Sequence, residues 1–371
     1  MELKYQGKKS REEILLLAQK RAFSLEYTIP INAVLFGENF DVMATLIKQG
    51  YANSIDLIYI DPPFSTKTNF VVSEERISTI SAPKKGAIAY SDKLFGEEFL
   101  EYIRERIILL YELLSERGSF YLHIDTKVGH YIKIILDEIF GEENFIGEIT
   151  RRKSNPKNFD RKAYGNEKDV IYFYAKKKGL HIWNEIKIPV DQEELNEKYR
   201  KIDETGRRYN TVPLHAPGES NGPTGQKWRG MEPPKGRHWR TSPENLTILD
   251  KQGLIEWSAS GNPRLKKFAD EHPGKKAQDI WLDFKDPAYP LYPTQKNDEM
   301  LEFIVKQSSA KDSIVLDAFA GSGTTLLAAK KQGRKFLGVD KEQVAFDAMK
   351  KRLGEVTLWE QNTVFLDLSE K

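Results

Sequence analysis

Apolar residues along this chain follow two rhythms. Runs that are apolar or β-branched along most of their length (Ile31 to Phe36, Ile55 to Ile60, Ser119 to Ile124, Phe145 to Arg151, Asp169 to Ala175, Ile314 to Leu316 and Lys335 to Val339) read as strands. Between them apolar positions recur at helical spacing. Phe99, Ile103, Ile107, Leu110 and Leu114 predict a helix from about Glu97 to Glu116, ended by Gly118. Further helices are predicted over Val128 to Phe140, closed by Gly141, over Thr324 to Lys331, and from about Glu342 to Leu353. Strands alternating with helices predict an α/β fold with a doubly wound, mostly parallel, Rossmann-like sheet. The runs Phe145 to Arg151 and Asp169 to Ala175 are close enough in sequence to form an antiparallel β-hairpin with a long tip.

Residues 181–290 break the pattern. They hold Trp183, Trp228, Trp239, Trp257 and Trp281, five of the chain's six tryptophans, and 11 of its 17 prolines, with no sustained period. The expected organisation is one sheet domain in two pieces, residues 1–180 and 291–371, interrupted by a loop-rich insert, 181–290. Ligands of open α/β sheets bind beyond the carboxyl ends of the strands, near the topological switch point. Two distant turns can therefore meet in one cleft.

Composition narrows the chemistry. The 371 residues, 39% hydrophobic and 30% charged, suffice for a sizeable core. The absence of cysteine excludes disulfides, thiolate zinc sites and cysteine nucleophiles, so chemistry falls to carboxylates, hydroxyls, imidazoles or the backbone. The histidines show no metal-ligand spacing, and no apolar run approaches the roughly 20 residues that span a bilayer. With no signal-peptide pattern after Met1, a cytoplasmic protein without membrane contact is expected. A net charge of +2 does not argue for nucleic acid, but its distribution does. Seven basic residues between Thr150 and Lys168, Arg151, Arg152, Lys153, Lys157, Arg161 and Lys162 among them, face two acids. Lys227, Arg229, Lys235, Arg237 and Arg240 face one acid between Gly222 and Arg240. Both stretches read as basic loops, suited either to solubility or to phosphate.

Two turns carry the candidate chemistry. Asp317, Phe319, Gly321 and Gly323 follow the Ile314 to Leu316 run, and the two glycines allow close backbone approach to a ligand at a helix N-terminus. Asp340 ends the next strand 19 residues after Gly321, where a carboxylate can accept ribose hydroxyls. A dinucleotide site shares this signature, but Leu326 stands where its third glycine would be, which favours a nucleoside with a carboxylate tail such as S-adenosylmethionine. The second turn, Asp61-Pro62-Pro63-Phe64, follows Ile60 directly. A carboxylate oxygen of Asp61 and the Pro62 carbonyl, on backbone stiffened by two prolines, can accept from both hydrogens of a base's exocyclic amine while Phe64 stacks on its ring. A base would have to leave the duplex to enter, at a cost of a few kcal/mol. His123 and Asp125, at another strand end, are too few for a metal site.

With these residues in place, the chain resembles the β group of DNA amino-methyltransferases, a permuted class in which the catalytic tetrapeptide precedes the target-recognition region and the cofactor glycines follow it. The resemblance spans about Leu35 to Leu353. It rests on Phe36-Gly37-Glu38-Asn39, Asp61-Pro62-Pro63-Phe64, Tyr121-Leu122-His123-Ile124-Asp125, Tyr292-Pro293-Thr294-Gln295-Lys296 and the Asp317 to Gly323 turn. It implies S-adenosylmethionine as cofactor, with Thr294 and Lys296 near its methionine end and Glu38 near its adenosine, and double-stranded DNA as substrate. Relatives often carry Asp where Glu38 stands and Tyr where Phe64 stands. The resemblance favours adenine N6 over cytosine N4, because Ser often replaces the first Asp in the cytosine class. It admits a homodimer, a cognate restriction endonuclease as partner, and a catalytically silent DNA-binding subunit as the contrasting role.

Overall fold

In a computed structural model, the described residues are 2–63, 69–72, 87–91, 96–154, 162, 164–259, 261–288, 290, 295–354 and 363–369. They form two compact units, Met1–Glu185 with Gln278–Lys371, and Ile186–Ala277. Among them no helix is long and apolar enough to cross a membrane.

Among the described residues, the first unit is built on a sheet of nine strands: β1 Ala33–Phe36, β2 Ile55–Ile60, β3 Leu114–Ile124, β4 Phe145–Arg152, β5 Lys168–Ala175, β6 Ile280–Trp281, β7 Ile314–Asp317, β8 Lys335–Asp340 and β9 Val364–Asp367. Their order across the sheet is β6-β4-β5-β3-β2-β7-β8-β1-β9. Only β5 runs against the rest, between β4 and β3; all other neighbours are parallel. Consecutive residues point to opposite faces and meet different helices. Leu35, Ile58, Phe120 and Leu337 join a core with the helices Arg11–Arg21, Asn39–Leu46, Gly96–Leu113 and Thr126–Phe140. Val34, Leu57, Tyr121 and Phe336 join another with Asp298–Ser308, Thr324–Lys331 and Gln343–Gly354. This is the doubly wound α/β sheet that the alternating pattern predicts. All six residues of β2 are buried, which is why its sequence is continuously apolar but for Asp56.

Asp56 explains one departure from the pattern. The helix expected to reach Glu116 stops at Leu113, and β3 begins at once at Leu114, opposite Ile55. Ser115, Arg117 and Ser313 all donate to the Asp56 carboxylate, at 2.7 to 3.0 Å. Tertiary pairing to a buried acid thus overrides a local helical period, and Gly118 lies within a strand.

The second unit is not loop-rich in the sense expected. It holds an antiparallel sheet of four strands, Ile255–Trp257, Pro263–Phe268, Arg208–Pro213 and Lys201–Ile202 in that order, with helices Gln192–Lys198 and Pro243–Lys251. Trp228, Trp239, Leu246 and Ile255 form its core, and Trp257 stacks on Trp228 with ring centres 5.6 Å apart. Its limits, 186 to 277, are tighter than the expected 181 to 290. Trp183 stacks on Phe173 of β5, and Ile280–Trp281 pairs with β4 as a sheet edge, so both flanks belong to the first unit.

Candidate active site

The carboxyl ends of four adjacent strands, β2, β7, β8 and β1, carry the acids singled out from the sequence. Asp61 follows β2, Asp317 ends β7, Asp340 ends β8, and Glu38 lies two residues past β1. The pairings Val315 with Leu57, Asp317 with Gly338 and Phe36 with Asp340 set these ends side by side. Turns 256 residues apart in sequence, at Asp61 and Asp317, thereby line one pocket of about 350 Å³, open to solvent, with Tyr59, Lys296, Phe319, Gly321 and Ser322.

The glycine turn is shaped by three interactions. Gly321 and Gly323 take left-handed φ values of 51° and 74°, a region that side chains disfavour. Asp317 folds the chain back on itself by accepting from the Phe319 amide at 3.0 Å and the Thr325 hydroxyl at 2.6 Å. Asp340 ties the turn to β8 by accepting from the Gly321 amide at 2.8 Å. The position that lacks the dinucleotide-type glycine is accommodated from the other side. A Cβ on Gly338 of β8 would lie 2.2 Å from Leu326 Cδ1, so the strand, not the helix, supplies the glycine that lets the two pack closely.

Arg352, which no sequence pattern marked, braces this turn from the last helix. Its buried guanidinium donates to the Ser322 carbonyl and hydroxyl and to Thr324, and also to Asp298 at 2.7 Å. Asp298 opens the helix that follows Lys296, and Asn297 caps that helix by accepting from the Met300 amide. The segment bearing Lys296 is thus tied to the glycine turn.

Asp61 is held by one oxygen and open at the other. Its Oδ2 lies 2.5 Å from Lys296 Nζ, whereas Oδ1 is buried without a hydrogen-bond partner. A buried acceptor left unpaired is costly and fits a donor that arrives with a ligand, such as an amine. Pro62 is buried beside it. Phe64 and Thr294 lie outside the described residues. Glu38 accepts from Arg106 at 2.6 Å and pairs with Lys341 at 3.3 Å. Its neighbour Asn39 accepts from the same arginine and donates to the Ala318 carbonyl, joining the Glu38 segment to the glycine turn.

Burial dominates the electrostatics. It pushes the Asp317 carboxyl up to about 7, with the Asp61 and Asp340 charges adding to the rise. Burial likewise pushes Asp340 up to about 6. Among the described residues that line the pocket, Asp61 and Asp317 stand beside Lys296, an excess of acid that favours a cationic ligand. S-adenosylmethionine fits these groups. Its sulfonium and ammonium suit the acids, its ribose suits Asp340, its carboxylate suits Lys296 and the turn amides, and the glycines leave room for its close approach.

The basic residues part company. Arg151, expected on a DNA-facing loop, is fully buried. It is clamped between Asp169, at 2.8 and 3.0 Å, and Asp286, at 2.6 and 3.0 Å. Both acids lie on segments flanking β4, so this arginine is a structural cation and is removed from the DNA-contact set. Arg152 donates to the Leu282 carbonyl, Lys153 pairs with Asp125 at 3.6 Å, and Lys162 is exposed. Lys157 and Arg161 lie outside the described residues. In the second unit Lys227 pairs with Glu232 at 3.1 Å and Arg229 with Asp250. Arg237 and Arg240 are exposed beside His215 and the Pro213 carbonyl. Asp125, read as a pocket candidate, caps the helix Thr126–Phe140. Among the described residues no group of three or more acids or histidines could hold a metal ion.

Comparison with known proteins agrees with this geometry. A family model described as DNA methylase, N6_N4_Mtase, matches residues 55–351. The chain belongs to this DNA methylase family. It is 38% identical over 326 residues to the type II methyltransferase M.EcaI of Enterobacter cloacae, covering 86% of this chain and 69% of that protein. It is 26% identical to the StyLTI Mod subunit, a type III restriction-modification enzyme of Salmonella typhimurium, over 79% of this chain and 49% of that one. The EcoPI Mod subunit of Escherichia phage P1 is 25% identical, over 88% and 62%. The chain spans about half to two thirds of the length of these relatives.

Proposed function

We propose that this DNA methylase transfers a methyl group from S-adenosylmethionine to the exocyclic N6 amine of an adenine flipped out of duplex DNA, in the cytoplasm and within a restriction-modification setting. The observation that carries the reading is the unpartnered Asp61 Oδ1, buried in the same pocket as the Asp317 to Gly323 turn. In this reading Asp61 Oδ1 and the Pro62 carbonyl accept from the two amine hydrogens and return electron density to a lone pair otherwise delocalised into the ring. Pro63 stiffens the turn and Phe64 stacks on the base. S-adenosylmethionine, when bound, supplies a methyl on an electrophilic sulfonium. Lys296 and Thr294 hold its methionine end, Asp317, Phe319, Gly321 and Gly323 its body, and Asp340 and Glu38 its adenosine side. The transfer is a direct displacement that needs no covalent enzyme intermediate, in keeping with a chain that has no cysteine.

The unit Ile186–Ala277 is proposed as the target-recognition region, with Lys227, Arg229, Arg237 and Arg240 as its phosphate and base contacts and Arg152, Lys153, Lys157, Arg161 and Lys162 as contacts from the sheet unit. A homodimer and a cognate endonuclease are proposed partners, by analogy with the restriction-modification relatives.

The test is to incubate the protein with labelled S-adenosylmethionine and mixed-sequence duplex DNA, digest to nucleosides and identify the labelled product by mass spectrometry. N6-methyldeoxyadenosine is expected. N4-methyldeoxycytidine would assign the sister chemistry of the same family, and absence of any labelled nucleoside would overturn the reading.

A further inference from the structure

Behind the pocket, a file of polar groups runs through the otherwise apolar sheet. The Tyr59 hydroxyl is 2.7 Å from His123 Nδ1, His123 Nε2 is 2.9 Å from Asp169 Oδ2, and Asp169 is gripped by Arg151, which also grips Asp286. Tyr59, His123, Arg151 and Asp169 are all at most 2% exposed. Buried polar chains of this length are expensive unless every member is satisfied, and apolar residues would hold the strands together at least as well. One end of this chain opens on chemistry, since Tyr59 lines the pocket with Asp61, Lys296 and Asp317.

We propose that Tyr59, backed by His123 and Asp169, receives the proton that the amine must lose when it is methylated. This rests on the amine-methyltransferase reading above. In the step, the amine lone pair forms the new N–C bond while the C–S bond breaks and leaves its electron pair on sulfur. The nitrogen, now cationic, gives up one proton, and the N–H electron pair returns to it. That proton passes to the Tyr59 oxygen as the tyrosine's own proton passes to His123 Nδ1. One proton has moved and no group is oxidised or reduced.

Three features favour this route. First, Asp61 is paired with Lys296, and taking up the proton would break a buried ion pair, so Asp61 serves better as a standing acceptor. Second, the charges balance only after the transfer. Arg151, Asp169 and Asp286 sum to one negative charge, which an imidazolium at His123 cancels. Third, Asp169 stays ionised. The Arg151 guanidinium donates to both of its oxygens, at 3.0 and 2.8 Å. An ionised carboxylate 2.9 Å behind an imidazole stabilises the imidazolium, as in serine hydrolases. His123 and Asp169 are positioning residues here, because they act through Tyr59. The charged groups facing Tyr59 are Asp61 and Asp317 from the pocket, and Asp169 and Arg151 from behind.

The experiment is single-turnover methyl transfer to duplex DNA at saturating S-adenosylmethionine, as a function of pH, for the wild type, Tyr59→Phe and His123→Gln. Tyr59→Phe deletes one oxygen, and its melting temperature and S-adenosylmethionine affinity report whether the fold and pocket survive. The wild-type rate is expected to fall towards acid pH, since the route requires His123 Nδ1 to take a proton. Both variants are expected to lose about a hundredfold and to lose that acid limb, with cofactor affinity unchanged. A Tyr59→Phe enzyme with wild-type rate and pH profile overturns the proposal, as does a slowed one that keeps the acid limb, which would mark the hydroxyl as merely orienting. A wild type that methylates no DNA overturns the underlying reading instead.

Discussion

Asp61 Oδ2 and Lys296 Nζ, 235 residues apart in sequence, meet at 2.5 Å in the pocket. The lysine fixes the rotamer of the carboxylate and leaves its second oxygen for a ligand. Both side chains are nearly buried, and removing one partner of such a pair leaves an uncompensated charge, typically at about 3 kcal/mol or more. Lys296→Met is therefore expected to lower the melting temperature and the methyl-transfer rate together. Calorimetry beside a transfer assay checks this, and a variant with both unchanged would remove Lys296 from the site.

The raised carboxyls make cofactor binding pH-dependent. Asp317 is pushed up to about 7 by burial and by its acidic neighbours, and a cationic ligand beside it favours the ionised form. Binding should then release a proton, and S-adenosylmethionine affinity should rise about tenfold between pH 6 and pH 8. The free protein shows the opposite trend from this group. Its folded-state value lies above the ordinary 3.8, so the folded state holds the proton more tightly. The stability contributed by that proton is lost as pH rises from about 4 to about 7. Isothermal titration across pH, with thermal melts of the free protein, checks both signs.

Close packing of Gly338 against Leu326 predicts a compensating pair. Gly338→Ala would set a Cβ 2.2 Å from Leu326 Cδ1 and should cost about 1–3 kcal/mol through overpacking. Leu326→Ala alone should cost about 2–5 kcal/mol through the cavity it leaves. The double variant should be more stable than the sum of the two losses predicts, and denaturant melts of the four proteins measure the coupling. Strict additivity would mean that the helix shifts freely.

Arg151 and Lys162, neighbours in one basic stretch, should fail differently. Arg151→Met leaves Asp169 buried beside its remaining partner, and a loss of about 3–5 kcal/mol in stability is expected. Lys162→Ala should leave the melting temperature intact and reduce the salt dependence of DNA binding by roughly one phosphate contact. Loss of DNA affinity by Arg151→Met at full stability would contradict the burial.

Much of the sheet was legible because buried parallel strands demand uninterrupted apolar runs. The helix Thr324–Lys331 lies where the glycine turn and its apolar spacing place it, and the Asp61 and Asp317 turns lie side by side as the switch-point rule requires. What escaped was set by partners remote in sequence. Arg151 reads as one more charge in a basic loop until Asp169 and Asp286 are seen around it, and Arg352 carries no local sign of the turn it braces. The insert's short strands are too brief for a period to show. Tyr59, His123 and Asp169 did carry a signal, as polar groups inside otherwise buried strands, but their mutual contact required the register of β2, β3 and β5.

The central claim is that Asp61 serves chiefly to activate the amine, while Lys296 and the glycine turn do most to hold the cofactor. It is tested most directly by comparing Asp61→Ala with wild type in two assays on the same preparation, S-adenosylmethionine affinity and single-turnover transfer to duplex DNA. Transfer is expected to vanish while affinity changes by no more than a few-fold. Wild-type turnover by Asp61→Ala would contradict the account at its root.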